Sequence, residues 1–265
     1  MMSDGSGAPG RSPAELFDLS GKVAVVTGGS RGIGRAVAHG FAAAGADVVI
    51  ASRKLDACER VAAEIADATG RETMAVACHV GRWDDCDGLV HAVHARFGRC
   101  DVLVNDAGMS PLYDSLTSIT ADYYDKVHAV NARGPFRLAT MFGARMAEGD
   151  GGSIINITTA GSLRPGDFDL PYAMAKAGLN ALTLALAGAW APAVRANLVL
   201  PGAVDTDITL AWTPEMKEQA GASNPMGRIG RPEDYVGVCT CLASDAAAYV
   251  NGAQVLVDGG AFRTL

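Results

Sequence analysis

A tyrosine and a lysine stand four residues apart in the segment YAMAK, at Tyr172 and Lys176. This spacing places both side chains on one face of a helix. A free phenol titrates near about 10, and an ammonium group within reach lowers that pKa by roughly one to three units. The pair therefore predicts a tyrosine that acts as a general acid near neutral pH.

A proton donor of this kind needs a second hydroxyl group to hold the substrate oxygen, and three candidates precede it. Thr158 and Thr159 end an apolar run, and Ser162 follows in a loop. Successive residues of a strand point to opposite faces, so only one of the two threonines can face the site. Ser162 would reach the site only if its loop folds inward.

A glycine-rich turn stands between an apolar run and an alanine-rich stretch, in the sequence VVTGGSRGIGRAV. Glycines there allow a tight turn and let a pyrophosphate approach the backbone, while the following helix supplies free N–H groups and a partial positive charge. In this context the turn predicts a dinucleotide site. The residues predicted to bind the cofactor here are Gly28, Ser30, Arg31, Gly32, Ile33 and Gly34.

The second apolar run ends in Ser52, Arg53 and Lys54. NAD selectivity usually places an acid at this position, where it binds the ribose 2′-hydroxyl. A carboxylate would repel the 2′-phosphate of NADP, whereas an arginine fork would hold it. Arg31 adds a cation on the same side. We therefore expect NADP(H) as the preferred cofactor, with NAD(H) possible, although a solvated basic corner would show the same residues.

Apolar, β-branched runs alternate with alanine-rich helical stretches along the chain. Strands that are apolar throughout and alternate with helices predict a doubly wound parallel sheet with helices on both faces. The predicted strands are 22–28, 47–52, 73–80, 101–108, 153–159, 194–202 and 253–260, and the predicted helices are 32–44, 55–68, 84–97, 120–147, 172–190 and 232–244. No linker interrupts the pattern, so one α/β domain is expected over residues 16–265, after a flexible tail at 1–15.

Composition excludes several other classes. A net charge of -7 without basic runs argues against a nucleic-acid surface. No apolar stretch is long enough to span a bilayer, and the first residues lack the apolar core of a signal peptide. The six cysteines form no CxxC pair and fit no zinc pattern, so we expect no metal site, no disulfide framework and a cytoplasmic location.

Several motifs in order resemble the short-chain dehydrogenase/reductase family over nearly everything after residue 16. They are TGGSRGIG at 27–34, NDAG at 105–108, Asn131 in AVNARGPF, YAMAK at 172–176 and LPG at 200–202 with Thr206 after it. The resemblance implies a single Rossmann-type domain with seven parallel strands, a homotetramer, and hydride transfer between a nicotinamide and a carbonyl or alcohol.

The resemblance also assigns roles to individual residues. Tyr172 would donate or accept the proton, Lys176 would bind the nicotinamide ribose, and Asn131 would hold a water in the relay to the lysine. The adenosine side would contact Asn105, Ala107 and Gly108, with Val80 also among the predicted cofactor contacts. The nicotinamide would lie against Pro201, Gly202, Val204 and Thr206.

Three positions depart from the family pattern. The family's substrate-holding serine lies thirteen residues before the tyrosine, where this chain has Thr159, so the predicted catalytic set is Asn131, Thr159, Tyr172 and Lys176. A threonine can donate the same hydrogen bond. His79 replaces an acid that would bond the adenine amine, and a neutral imidazole could still accept that bond. Asp106 replaces an asparagine, and its ionisation would need compensation.

The resulting functional prediction is an NADPH-dependent reductase of a ketone, acting reversibly on the secondary alcohol. A 3-oxoacyl thioester is one possible substrate, and residues 206–228 are predicted to form a lid over the pocket. Two alternatives stay open at this point. One is a non-catalytic NADP-binding scaffold or sensor, and the other is an NAD-dependent alcohol dehydrogenase.

Overall fold

The structure is a computed structural model that describes residues 10–206, 209 and 212–262. The strands are β1 (Val23–Thr27), β2 (Asp47–Ser52), β3 (Thr73–Ala77), β4 (Val102–Asn105), β5 (Gly152–Ile157), β6 (Val194–Pro201) and β7 (Gln254–Val257). Within the described residues they form one parallel sheet of seven strands, in the order β3-β2-β1-β4-β5-β6-β7. The predicted Rossmann-type sheet is therefore confirmed.

Helices cover both faces of this sheet because the strands are apolar on both faces. They are α1 (Pro13–Leu16), α2 (Gly32–Ala43), α3 (Leu55–Thr69), α4 (Trp83–Phe97), α5 (Ala121–His128), α6 (Gly134–Glu148), α7 (Leu170–Ala189), α8 (Pro214–Ser223) and α9 (Val236–Ala243). One core packs α2, α3 and α9 against alternate strand residues such as Ala24 and Val26. The other packs α4, α6 and α7 against Val23 and Val25.

The predicted helix 120–147 is not continuous. A π-helical segment, Ala129–Arg133, separates α5 from α6. Single π turns inside α-helices occur frequently at functional sites, and this one carries Asn131. Beyond the break α6 packs on β4 and β5, whereas α5 packs against α7.

The first nine residues of the predicted tail lie outside the described residues. From the rest of that segment, Pro13–Leu16 form α1, which Ser12 caps. Arg11 forms an ion pair with Asp245, with 2.6 Å between guanidinium nitrogen and carboxylate oxygen. Among the helices that the structure describes, none has both the length and the apolar character needed to cross a membrane.

Candidate active site

The predicted site residues gather at the carboxyl edge of the sheet. From β1 the sheet extends through β2 and β3 in one direction and through β4 to β7 in the other. The connections therefore reverse direction between β1 and β4. A crevice opens at such a point in doubly wound sheets. The glycine turn follows β1, the NDAG segment follows β4 and Thr159 follows β5.

Tyr172 and Lys176 lie in the first two turns of α7, as the spacing predicted. Lys176 is buried, with 2% of its surface exposed, and its Nζ donates a hydrogen bond of 2.7 Å to the backbone oxygen of Ile157. Gly108 lies beside the ammonium group, since a Cβ atom on this glycine would be 3.7 Å from Nζ. The lysine is therefore anchored at the end of β5, facing the segment that follows β4.

The expected acidification of Tyr172 by Lys176 is wrong for the chain alone. Burial raises the pKa of Tyr172, and the charges of Asp106 and Asp169 raise it further. The Lys176 Nζ atom is 5.8 Å from the centre of the tyrosine ring, and burial lowers the pKa of the lysine to about 8 despite the opposing charge of Asp106. The phenol thus stays protonated at neutral pH, which suits a proton donor.

The three candidate hydroxyl groups differ in what they already bind. Thr158 is buried, and its hydroxyl faces the backbone oxygen of Val199 on β6. Ser162 donates to the backbone oxygen of Thr159 at 2.6 Å and accepts from Asn180 at 2.8 Å, so its single hydroxyl proton is already used. Thr159 Oγ1 accepts the N–H of Gly161 at 3.2 Å and keeps its own proton available. This arrangement favours Thr159.

Asn131 is buried in the π segment and holds the chain after β4. Its Nδ2 donates to the backbone oxygens of Met109 and Val127, at 2.8 and 2.9 Å, and its Oδ1 accepts the N–H of Met109 at 3.1 Å. The side chain is thus committed to the backbone. The resemblance implied that Asn131 holds a water in a proton relay. Because the side-chain amide is engaged with the backbone, it would not be the group that holds this water.

The glycine turn packs tightly on the segment after β4. Gly28 has φ of +72°, and a Cβ atom there would lie 2.9 Å from the backbone nitrogen of Ala107. A Cβ atom on Gly34 would lie 2.7 Å from Asp106 Oδ2, which instead accepts the N–H of Gly34 at 2.9 Å. The carboxylate of Asp106 therefore joins the segment after β4 to the start of α2.

The carboxylate of Asp106 sits at the amino end of α2, where a phosphate would also bind. Burial raises its pKa to about 6, against the lowering effects of Lys176, the Gly34 N–H and Arg31. The positive charges of Lys176 and Arg31 compensate the negative charge that Asp106 carries when it is ionised. At neutral pH the group is mostly charged and opposes an incoming phosphate.

The basic residues predicted to select the cofactor follow β2. Ser52 is half-buried and its hydroxyl lies 3.1 Å from the sulfur of Cys58, whereas Arg53 and Lys54 are exposed. Within the described residues neither Arg53 nor Lys54 forms an ion pair, in contrast to Arg35, which pairs with Glu64 at 2.7 Å. Arg53 and Lys54 thus keep their charges available for an anion.

Two of the predicted adenosine contacts have side chains engaged in other bonds. His79 Nδ1 accepts the N–H of Gly81 at 3.1 Å, so a neutral ring carries its proton on Nε2 and would donate to adenine, rather than accept as expected. Asn105 is buried and its Nδ2 donates to Asn156 Oδ1 at 2.8 Å, whereas its Oδ1 has no partner among the described residues and, with the backbone, is left for the predicted contact. Val80 is buried against Gly134, while Ala107 and Gly108 are half-buried.

The predicted nicotinamide segment continues from the end of β6. Pro201 pairs with Val257, and Gly202 packs on Asp258, where a Cβ atom would come within 2.9 Å of the aspartate Cβ. Val204 is buried, and the methyl group of Thr206 lies 3.4 Å from the Cβ position of Gly32. The segment after β6 thus meets the glycine turn across the crevice.

These features fit a nicotinamide dinucleotide. Among the described residues, the N–H groups of Gly32 and Ile33 at the amino end of α2 have no acceptor, and its N-cap residue Arg31 makes no side-chain cap. Free N–H groups at a helix start bind phosphate. The glycine turn would hold the pyrophosphate, and Lys176 would face the nicotinamide half.

Comparison with known proteins decides the family. A family model described as enoyl-(acyl carrier protein) reductase matches residues 28–261. The short chain dehydrogenase/reductase astE of Aspergillus oryzae is 36% identical over 252 residues, covering 93% of this chain and 97% of the relative. This chain belongs to the short-chain dehydrogenase/reductase family. The membership confirms the resemblance and the predicted oxidoreductase activity on CH–OH or C=O groups.

Other members of the short-chain dehydrogenase/reductase family are also similar. L-rhamnose 1-dehydrogenase (NAD(P)(+)) of Azotobacter vinelandii is 38% identical, covering 93% of this chain and 99% of the relative. The crystal structure of a gluconate 5-dehydrogenase from Burkholderia cenocepacia J2315, in complex with NADP and tartrate, superposes with a TM-score of 0.89 at 30% identity. That likeness covers 95% of this chain and 99% of the other.

One residue beside the site of this short-chain dehydrogenase/reductase is absent from the sequence prediction. Asp169 precedes Tyr172 by three residues, and its charge acts on the pKa of that tyrosine. A usable signal was present, because an aspartate placed before a helix-starting Leu-Pro pair occupies a capping position whose second partner has no N–H.

Replacement of Asp106 by asparagine is expected to strengthen NADPH binding about tenfold, or about 1.4 kcal/mol, because it removes a charge that repels the phosphate. The amide still accepts the N–H of Gly34 but carries no charge. In the wild type, affinity should weaken as pH rises through about 6, where the carboxyl ionises, and Asp106→Asn should lack this step. NADPH fluorescence titration from pH 5 to 8 measures both effects.

The control is Asp122→Asn, which removes an equal charge from an exposed site on α5. An Asp106→Asn affinity and pH profile identical to those of the wild type would contradict the assignment.

Proposed function

We propose that this chain reduces a ketone to a secondary alcohol, and catalyses the reverse oxidation, with NADP(H) as preferred cofactor. The observation that carries the proposal is the grouping of Thr159, Tyr172 and Lys176 at the carboxyl end of β5, beside the β1/β4 crevice. When bound, the nicotinamide supplies or accepts the hydride. Thr159 donates a hydrogen bond to the carbonyl oxygen, and Tyr172 transfers its proton to the same atom.

Lys176 has two roles in this proposal. One ammonium proton is used by the backbone oxygen of Ile157, at 2.7 Å, which leaves two donors for hydroxyl groups of the nicotinamide ribose. Its positive charge also favours the phenolate that remains after proton transfer. Lys176 therefore binds the ribose and stabilises the phenolate, while Tyr172 alone transfers the proton.

A polyhydroxylated ketone is the proposed substrate class. Support comes from the names of the relatives, which include a dehydrogenase of L-rhamnose and one of gluconate. The 3-oxoacyl thioester considered from the sequence stays an alternative.

The test mixes the protein with NADPH and a panel of ketones, namely ketoses, simple hydroxyketones, β-ketoesters and diketones, and follows absorbance at the reduced nicotinamide band. Oxidation of NADPH with a ketone supports the proposal, and comparison with NADH separates it from an NAD-dependent alcohol dehydrogenase. Tight NADPH binding without turnover of any ketone, or of alcohols with NADP⁺, would favour the scaffold or sensor.

Replacement of Arg53 by aspartate is expected to lower kcat/KM with NADPH about ten- to hundredfold, since a charged hydrogen bond to phosphate is lost and a repulsion is added. The value with NADH should stay within about threefold, because NADH lacks the 2′-phosphate. Steady-state kinetics with both cofactors measure the change. Arg60→Asp, at an exposed position of α3, is the matched control. An unchanged NADPH/NADH ratio in Arg53→Asp would refute the phosphate role.

The segment 206–228 is proposed as a lid over the substrate. It contains α8, whose residues Met216 and Glu218 are exposed, and Lys217 pairs with Asp205 at 2.8 Å. Residues 207, 208, 210 and 211 of this predicted lid lie outside the described residues. The domain itself is proposed to span residues 16–265, and α1 and the Arg11–Asp245 ion pair hold the described end of the preceding segment against it.

A cytoplasmic homotetramer is the proposed working form. Large apolar side chains are exposed on α6 and α7, among them Phe136 at 45%, Met174 at 48% and Leu184 at 48%, and further copies of the chain would cover them. All six cysteines are free thiols, which suits a reducing compartment.

A further inference from the structure

Asp169 occupies the N-cap position of α7 but does not cap the helix with its side chain. An aspartate there ordinarily accepts the N–H of the second or third helical residue. The second residue is Pro171, which has no N–H, and the N–H of Leu170 goes to the hydroxyl of Tyr113 at 3.0 Å. The carboxylate is therefore turned away from the helix.

The two carboxylate oxygens of Asp169 have different surroundings. Oδ1 accepts the N–H of Gly166 at 3.3 Å. Oδ2 faces Gly161, because a Cβ atom on that glycine would lie 3.1 Å from Oδ2 and 3.5 Å from Thr159 Oγ1. The carboxylate and the hydroxyl proposed to hold the substrate oxygen thus border the same position beside Gly161.

The charge of Asp169 also reaches the proton donor. It is one of the two carboxylates that raise the pKa of Tyr172. Asp169 therefore lies near Thr159 and acts electrostatically on Tyr172, at the end of β5 and the start of α7.

No cation neutralises Asp169 within the ranges 10–206, 209 and 212–262. The side chain is half-buried, and burial raises the pKa of this carboxyl. A half-buried carboxylate is partly desolvated, and a hydrogen-bond donor brought by a ligand stabilises its charge.

The loop that carries Asp169 is held in place from outside the site. Tyr113 donates its hydroxyl proton to the backbone oxygen of Asp167 and accepts the N–H of Leu170, so it binds the chain on both sides of Asp169. The backbone oxygen of Asp169 accepts the N–H of Ala173 at 2.9 Å. The carboxylate is thereby fixed before substrate arrives, as selective recognition requires.

We propose that Asp169 accepts a hydrogen bond from a hydroxyl group on the carbon next to the reacting carbonyl. The preferred substrates are then α-hydroxyketones and, in the reverse direction, the corresponding vicinal diols. This inference rests on the proposed reductase function and narrows its substrate class. The same carboxylate repels a substrate with an acid group at that carbon, so 2-oxoacids are excluded.

The test compares 1-hydroxy-2-butanone with 2-butanone, which differ only in the neighbouring hydroxyl group. That hydroxyl also makes the carbonyl more reactive, so the deciding quantity is how the ratio of the two kcat/KM values changes with mutation. Asp169→Ala is expected to lower this ratio about tenfold or more, because a charge-assisted hydrogen bond is lost. The value for 2-butanone should fall less than the value for 1-hydroxy-2-butanone, because 2-butanone has no hydroxyl group for the carboxylate to bind.

Two further variants keep the outcome interpretable. Asp169→Asn preserves the shape and one acceptor oxygen, so it should lower the ratio less than Asp169→Ala, and it carries the test if the alanine variant fails to fold. Asp167→Ala removes an exposed acid from the same loop and should leave the ratio unchanged. Thermal melting and NADPH titration establish that each variant is folded.

Equal losses with both ketones, or an unchanged ratio, would overturn the role of Asp169 while leaving the reductase function intact. If none of the ketones leads the wild type to oxidise NADPH, and none of the alcohols leads it to reduce NADP⁺, the reductase function and this inference are both overturned. The two failures are therefore distinguished by the wild type alone.

Discussion

Tyr172→Phe is expected to reduce turnover of a ketone by about 10²- to 10⁴-fold, the range that a positioned general acid contributes. The substitution removes one oxygen atom and keeps the ring that packs near Lys176, 5.8 Å from its Nζ. Reduction places negative charge on the substrate oxygen, and without the phenol that charge must await a proton from water.

The pKa of Tyr172 also fixes how the two reaction directions depend on pH. Burial and two neighbouring carboxylates raise this pKa, so the phenol holds its proton at neutral pH and can donate it in the reduction. Oxidation of an alcohol needs the phenolate instead. We therefore expect the oxidation rate to rise with pH over the alkaline range in which the reduction rate declines, with both profiles absent in Tyr172→Phe.

Steady-state kinetics and NADPH titration measure these effects. The Kd for NADPH should change by less than about threefold, since a single hydroxyl is lost from a large contact surface. Tyr249→Phe, which removes a fully exposed phenol, is the matched control and should behave as the wild type. Retention of more than a tenth of the activity by Tyr172→Phe would show that another group supplies the proton.

Thr159→Ala is expected to lower kcat by about 10²- to 10³-fold, as does the loss of one donor to a developing oxyanion. The hydroxyl proton of Thr159 has no acceptor among the described residues, and its oxygen is oriented by the N–H of Gly161 at 3.2 Å. The donor is thus preorganised for a substrate oxygen.

Thr159→Ser should restore most of the activity, because it returns the hydroxyl without the methyl group. Ser162→Ala tests the alternative, and we expect a loss below about tenfold because that hydroxyl binds Thr159 and Asn180 within the protein. Single-turnover rates with saturating NADPH isolate the chemical step. A larger loss of the single-turnover rate with Ser162→Ala than with Thr159→Ala would assign the substrate-holding hydroxyl to Ser162 instead.

Sequence reasoning predicted the sheet correctly, and it proposed the candidate site, because both predictions depend on local patterns. Apolar strands alternating with helices have few stable arrangements, and right-handed crossovers leave the doubly wound sheet. Strand alternation separated Thr158 from Thr159, and helix periodicity brought Tyr172 onto the face of Lys176. These inferences need only the direction of a side chain from its own backbone.

Other features depend on partners distant in the chain, which spacing alone does not supply. The bond from Gly34 to Asp106 joins residues 72 apart, and the engagement of Tyr113 with Leu170 joins residues 57 apart. The pKa of Tyr172 was misjudged because the sequence shows Lys176 as its neighbour but does not show how strongly burial acts on both groups. Burial is a property of the assembled fold.

The π segment at Ala129–Arg133 serves the candidate site, through Asn131, and is not required for the packing of the fold. It holds one residue more than an α-helical turn of the same rise, so a chain shortened by one residue there would join α5 to α6 as one uninterrupted helix, with α6 packed on the sheet and α5 beside α7. Asn131 would then lose its two hydrogen bonds to the backbone of Met109. Gene copies that differ by a single codon deletion in this stretch should therefore yield stable proteins that have lost the ordered backbone next to the cofactor.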